Sequence, residues 1–149
     1  MASTVSIPEG VARQLVLFRL AGQSFGIELE PVREIVPFRR ATRLPGTSER
    51  VAGLMNVRGT IVTVIGLAAL LGTSRAPHAG GSVVLVEHGG RLVGVAVDEV
   101  LDVRRMADVE LGTDAEAVPA GSAVRALGRL EGEVIALLDI HDIISQVLA

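Results

Sequence analysis

Two stretches of the chain, LVLFRLAGQSFGIELEPVREI at residues 15–35 and VVLVEHGGRLVGVAVDEVLDV at residues 83–103, align without a gap. The second stretch lies 68 residues after the first, and five of the 21 aligned positions are identical. In each stretch an apolar run reaches a turn containing Gly22 or Gly90, and a second apolar run follows. Because glycine readily adopts the positive φ of a tight turn, each stretch predicts a β-hairpin.

A second pair of stretches repeats in the same order along the chain. Residues 51–71 align with residues 124–144 at a shift of 73, and they share their pattern of apolar positions. Each predicts a hairpin, with its turn at Gly59 or Gly132, whose second strand runs into a short helix. Two blocks that repeat in one order indicate a duplicated fold, because a chance similarity would not keep the order.

The predicted fold class is all-β, with short helices. Each half supplies four candidate strands, and apolar residues on both faces of several of them indicate sheets that are covered on both sides. A sheet this short hides its edges by closing into a small barrel. We therefore expect one domain over residues 1–149, with approximate lobes at 14–72 and 82–147. The sequence does not decide whether the lobes exchange a strand.

Two finer predictions concern the ends of the repeated stretches. Residues 139–148 predict a C-terminal helix, in which the Asp139 side chain caps the first turn. Residues 31–35 and 98–103 predict either a brief turn of helix or an extended corner.

The composition excludes several classes of function. The chain has 149 residues and a net charge of −3, with no cysteine, and all fourteen of its basic residues are arginine. These facts exclude disulfides, thiol nucleophiles, Schiff-base lysines and a P-loop lysine. The N-terminus resembles no signal peptide, and the longest uncharged run, residues 59–74, is too short to span a bilayer. We expect a cytoplasmic protein.

The histidines suggest no catalytic or metal site. His78, His88 and His141 are the only three, and no two of them share a metal-ligand spacing. A nucleophile elbow of the Gly-x-Ser-x-Gly type is also absent from the sequence. We therefore predict no enzyme, no cofactor and no metal. The alternative is a small-ligand-binding or hydrolytic tandem β-barrel protein, which would need a polar pocket converging on a histidine.

Two charged groups have roles that the sequence leaves open. Arg39, Arg40 and Arg43 form either a solvated loop or a docking patch, and with only Phe38 nearby to stack on a base they support nucleic-acid binding poorly. Glu34 and Arg58 lie among apolar residues. A pair between them is either a weak surface contact or a buried pair whose disruption strands a charge.

The chain resembles the CheW family of bacterial chemotaxis coupling proteins over about residues 14–147. The resemblance is carried by FGIEL at 25–29, VREI at 32–35, VAGLMNVRGTIV at 51–62 and VGVAVDEV at 93–100. Its most specific part is Gly53 followed by Asn56-x-Arg58-Gly59. The chain also departs from the family pattern, with Gly66 where aspartate is usual and Pro45-Gly46 in place of a more typical loop. These departures leave the receptor or pathway open.

The resemblance implies two five-stranded SH3-like barrels packed around a shared hydrophobic interface. It also implies an adaptor that bridges the cytoplasmic tip of a methyl-accepting chemotaxis receptor to the regulatory domain of the histidine kinase CheA. Such an adaptor would be recruited to receptor arrays at the inner membrane without inserting into it. The positions that match family residues implicated in this coupling are Val32, Glu34, Gly53, Arg58, Val83 and Gly94.

Overall fold

The computed structural model describes residues 13–71, 77–112 and 123–148. Within these ranges the chain is mostly β-strand, with two α-helices. The strands are β1 (Gln14–Leu20), β2 (Gln23–Glu28), β3 (Val32–Pro37), β4 (Val51–Val57), β5 (Thr60–Gly66), β6 (Ser82–His88), β7 (Arg91–Val97), β8 (Glu99–Arg105), β9 (Glu110–Leu111), β10 (Val124–Leu130) and β11 (Glu133–Leu138), and the helices are α1 (Leu67–Leu70) and α2 (Ile140–Leu148).

The first sheet has five strands in the order β3-β6-β7-β5-β4. Its edge strands, β3 and β4, are brought together by the chain that follows β3. Thr42 and Leu54 exchange two backbone hydrogen bonds of 2.8 Å each, which add a bridge beside β4. Because this bridge pairs the free edge of β4, the sheet closes into a small barrel.

The second sheet has six strands in the order β8-β1-β2-β11-β10-β9. Only a 3₁₀ turn, Met106–Asp108, separates its edge strands β8 and β9 along the chain, so the two edges of this sheet also meet. The all-β fold of two small barrels is therefore confirmed. The second barrel differs from the expected five strands only by β9, which is two residues long.

Each barrel takes strands from both halves of the chain. The hairpin β1–β2 lies in the six-stranded sheet, where β2 runs parallel to β11. The hairpin β6–β7 lies in the five-stranded sheet, where β7 runs parallel to β5. The first hairpin of each half thus pairs with the second hairpin of the other half, and the two halves of the sequence are intertwined.

One apolar core joins the two barrels. Its residues come from both sheets and from α2, and the largest are Phe18 and Phe25, whose ring centroids lie 5.9 Å apart. Ile143 and Ile144 attach α2 to this core and are almost fully buried. A smaller apolar cluster fills the interior of each barrel. Because the core has few aromatic residues, closely packed valine, leucine and isoleucine side chains fill most of it.

The local predictions have clear outcomes. Four tight hairpins connect β1–β2, β4–β5, β6–β7 and β10–β11, as the glycine positions predict. Asp139 caps α2, since its Oδ1 accepts a hydrogen bond of 3.1 Å from the backbone N–H of Asp142. The two segments predicted as either helical turns or extended corners are extended, and they form most of β3 and β8. Within the described ranges, no helix has the length and apolar character needed to cross a bilayer.

Gly94 and its repeat counterpart Gly26 give a test of core packing. A Cβ at Gly94 would lie 2.7 Å from Cγ1 of the buried Val83, whereas the nearest atoms to a Cβ at Gly26 would be the flexible ends of Leu137 and Leu17, at 3.1 and 3.2 Å. Gly94→Ala is expected to lower the free energy of unfolding by roughly 1–3 kcal/mol, because the branched neighbour cannot move aside.

Urea denaturation followed by circular dichroism measures this effect. Gly26→Ala is the matched control and is expected to be nearly neutral, because the lower chain entropy of alanine offsets a mild contact. Equal losses in the two variants would contradict the packing described for Gly94.

Candidate functional site

All six residues that the sequence assigns to partner binding lie in the five-stranded barrel. They are Val32 and Glu34 on β3, Gly53 on β4, Arg58 in the turn between β4 and β5, Val83 on β6 and Gly94 on β7. The structure therefore gathers residues that are up to 62 positions apart, from 32 to 94, into one barrel. It does not bring all of them to the surface.

Three of the six residues are buried. Val83 has no exposed surface and packs beside Gly94, and Gly53 is also covered. Gly53 has a φ of 145°, and a Cβ there would lie 2.6 Å from the backbone oxygen of Thr42. A side chain would thus break the bridge that closes the barrel. These three positions shape the barrel wall, so any effect they have on a partner is exerted through the surface above them.

Glu34 and Arg58 form the exposed part of this set. The Arg58 guanidinium donates two hydrogen bonds to the Glu34 carboxylate, one of them 2.8 Å from Nη1 to Oε2. The Arg58 side chain is 68% exposed and that of Glu34 is 39% exposed. The sequence leaves open whether this pair is a surface contact or a buried pair, and the structure shows the surface contact. The bidentate geometry nevertheless holds both side chains in one orientation.

The turn that carries Arg58 has an uncommon backbone conformation that is held by a side-chain hydrogen bond. Arg58 has a φ of +49°, which is uncommon for a residue with a side chain. The Asn56 side chain stabilises the turn, because its Oδ1 accepts a 2.8 Å hydrogen bond from the backbone N–H of Gly59. The exposed Ile61 lies on β5, three residues after Arg58, and pairs with Asn56 across the hairpin.

The pair also joins two parts of the sheet that the strand order separates. Glu34 lies on the edge strand β3, and Arg58 lies in the hairpin at the opposite edge. Five flat strands would place these edges about 19 Å apart, at about 4.8 Å per strand. A direct ion pair between the edges therefore requires the sheet to curl closed, and the Thr42–Leu54 bridge holds the same closure.

The six-stranded barrel carries a related ion pair, with the arginine on a strand and the glutamate in a hairpin turn. Arg104 on β8 donates a 2.9 Å hydrogen bond to Glu131, which occupies the β10–β11 turn with a φ of +52°. Glu131 aligns with Arg58 in the repeat, so the turn position is positive in one barrel and negative in the other. The repeat counterpart of Glu34 is Asp102, so this contact uses a different position of the third strand than the Glu34–Arg58 pair does.

Hydrogen bonding shifts the pKa values of Glu34, Arg58 and Arg104. The guanidinium of Arg58 lowers the pKa of the Glu34 carboxyl, and the hydrogen bond to Glu34 raises the pKa of Arg58. The hydrogen bond to Glu131 likewise raises the pKa of Arg104. Both arginines therefore stay charged, and Glu34 stays ionised further into the acid range than a solvated glutamate.

The histidines occupy positions that spacing along the chain did not reveal. His88 and His141 are 53 residues apart in sequence, yet their Nδ1 atoms are 2.9 Å apart. His78 lies elsewhere, with its Nε2 3.3 Å from Oδ1 of Asp98. Only the register of β6 against β7 and the docking of α2 bring His88 to His141, so no local pattern could have found the pair.

The comparisons with known proteins agree on one family. The CheW-like domain profile matches residues 14–148. The chemotaxis protein CheW of Klebsiella aerogenes is 29% identical over 140 residues, which cover 92% of this chain and 84% of that protein. CheW of Rhizobium meliloti is 28% identical over 134 residues, covering 88% and 86% of the two chains. The crystal structure of the scaffolding protein TtCheW from Thermoanaerobacter tengcongensis superposes with a TM-score of 0.73 and 26% identity, covering 87% of this chain and 90% of that one.

The Glu34 pKa leads to a test of the pair by acidification. Because the folded-state pKa lies below the unfolded value, the pair contributes stability at neutral pH, and that contribution is lost as the pH falls through the folded-state pKa. Glu34→Gln is therefore expected to be slightly less stable than the parent at pH 7, and the difference is expected to shrink as the pH falls to about 3. Urea denaturation at the two pH values measures it.

The double variant Glu34→Gln/Arg58→Gln, compared with Arg58→Gln alone, supplies the control. Without Arg58, changing residue 34 to glutamine is expected to have little effect on stability at either pH. A difference between parent and Glu34→Gln that stays the same at pH 7 and at about pH 3 would show that the ion pair does not cause it.

Proposed function

Because the chain belongs to the CheW-like family, we propose that it couples the cytoplasmic tip of a methyl-accepting chemotaxis receptor to the regulatory domain of the histidine kinase CheA. Its relatives are named chemotaxis and scaffolding proteins, and this chain has the corresponding role of a coupling scaffold in chemotaxis. The specific pair of partners is the proposal. The observation that carries it is the exposed, geometrically fixed ion pair of Glu34 and Arg58 on the five-stranded barrel.

A scaffold of this kind needs enough surface for two partners at once. The accessible surface of the chain is 8561 Å². A stable interface of standard size covers about 800 Å² on each partner, so two such interfaces would use about a fifth of the available surface. The two barrels face outward from one shared core, which allows partners to bind on separate sides.

The charged pair suits recognition better than it suits stability. An exposed ion pair adds little to folding, but charges at the rim of an interface select partners and orient them. The double hydrogen bond keeps Arg58 in place before any partner arrives, which lowers the entropy lost on binding. The neighbouring Ile61 supplies exposed apolar area of the kind that interfaces bury.

A receptor tip made of helices would need an apolar concave surface. A groove of about 380 Å³ runs between the β6–β7 hairpin and α2, and its apolar lining includes Leu92, Val93, Ile144 and Leu148. Leu92 and Leu148 are 38% and 40% exposed. This groove supports docking of an amphipathic helix, because such a helix binds by packing its apolar face into a groove.

The same proposal makes the chain a non-enzymatic protein that works in the cytoplasm at receptor arrays on the inner membrane. A scaffold acts by holding the kinase and the receptor in a fixed relation, so its surfaces need complementarity and no reactive group. Control of the kinase would then depend on which geometry of the assembly each receptor state stabilises.

Charge reversal at Arg58 tests the proposal. Arg58→Glu places a second carboxylate beside Glu34, which abolishes the pair and reverses the charge that a partner meets. We expect co-sedimentation with receptor-containing membranes and CheA to fall by about tenfold, while the circular dichroism spectrum stays that of a folded protein.

Two further variants separate recognition from folding. Arg33→Glu is the matched control, because Arg33 is an exposed arginine beside Glu34 on β3 and pairs with Glu87 on the neighbouring strand β6. It is expected to leave co-sedimentation nearly unchanged. The exchange Glu34→Arg/Arg58→Glu restores an internal pair with inverted polarity and is expected to stay defective. Full recovery in the exchange variant would assign the pair to folding alone and would contradict the docking role.

A further inference from the structure

The loop after β3 carries a group of arginines that the coupling role does not use. Arg39, Arg40 and Arg43 are exposed, and no Asp or Glu occurs between Glu34 and Glu49 in the sequence. In the described part of the chain, seven other arginines form ion pairs with carboxylates, whereas these three have no such partner. Their positive charge is therefore available to a group outside the chain, although the chain as a whole has a net charge of −3.

Backbone hydrogen bonds hold this loop against the five-stranded barrel. Just before the first arginine, the backbone N–H of Phe38 donates a 2.9 Å hydrogen bond to the carbonyl of Gly81, and the Phe38 side chain packs on the apolar cluster of the barrel. Between the second and the third arginine, Thr42 forms the bridge to Leu54. The arginines thus project from a backbone that is held in place, which lowers the entropy lost when a partner binds.

We propose that Arg39, Arg40 and Arg43 form a docking patch for an extended acidic segment of a partner protein. The three residues lie in a segment outside any helix, so their charges are distributed along the backbone and suit a chain of anionic groups. A guanidinium presents a planar fork of N–H donors that matches a carboxylate, and Arg58 shows this geometry with Glu34 in the same barrel. Several carboxylates in one segment can therefore pair with more than one arginine at once.

Two features of the surroundings favour an acidic peptide over a nucleic acid. Bases bind by stacking on exposed aromatic rings, and the chain has no tryptophan or tyrosine. Of its three phenylalanines, Phe18 and Phe25 are buried and Phe38 packs on the barrel. Leu44 follows the last arginine and is 44% exposed, so it offers apolar area that the side-chain methylenes of a peptide can cover.

Fluorescence polarisation of a labelled hexaglutamate peptide, titrated with the intact chain, tests this proposal. At about 20 mM NaCl we expect saturable binding, which weakens by about tenfold at about 200 mM NaCl because salt screens exposed charges. The triple variant Arg39→Ser/Arg40→Ser/Arg43→Ser is expected to weaken binding by about tenfold, since each exposed charge pair contributes modestly. Its circular dichroism spectrum should stay that of the parent, because the Thr42–Leu54 bridge uses only backbone atoms.

Arg105→Ser/Arg125→Ser/Arg129→Ser is the matched control, because it removes three exposed arginines from the six-stranded barrel and changes the net charge by the same amount. It is expected to bind hexaglutamate nearly as the parent does. Equal losses in the two triple variants would show a general charge effect and would overturn the proposal. Absence of saturable binding would also overturn it, as would tighter binding of an oligothymidylate with the same number of charges. The measurement uses neither receptor nor kinase, so its outcome is independent of the coupling role.

Discussion

The rest of the structure depends on two parallel strand pairings, β2 with β11 and β5 with β7. Each joins a strand from one half of the chain to a strand from the other half, and neither can form within a half. Parallel neighbours need a long connection, so the chain must pass through both barrels before either sheet is complete. Completion of the two sheets also buries the apolar residues between them, including Phe18 and Phe25. Neither half can bury its apolar surface alone.

This closure creates the surface available to partners. Glu34 and Arg58 meet only because the five-stranded sheet curls until its edges are adjacent, and Gly53 allows the closing bridge beside them. The surface therefore depends on buried positions as well as exposed ones, such as Val83 and Gly94 in the wall of the barrel. The Arg104–Glu131 pair links a strand to a hairpin turn in the second barrel in a similar way, with the positive charge on the strand.

The sequence predicted the local structure well, because hairpin turns and helix caps are determined by nearby residues. The turns at Gly22, Gly59, Gly90 and Gly132 and the Asp139 cap all follow from neighbouring positions. Pairing between hairpins could not be predicted, because a repeat identifies equivalent strands and does not say which copy pairs with which. The sequence also leaves open whether β3 and β8 are helical turns or extended, since their extended form depends on partner strands in the other half. The meeting of His88 and His141 follows from that pairing and from the docking of α2, so it too was hidden.

The central claim is that the intertwined halves form one cooperative unit. Native-state hydrogen exchange tests it most directly, because it reports the free energy of opening at individual amides and needs no tryptophan or tyrosine. The slowest amides of β2 and β11 in one barrel, and of β5 and β7 in the other, are expected to exchange with the same free energy and the same dependence on urea. Loss of protection in one barrel at a urea concentration where the other stays protected would show that the two barrels unfold independently.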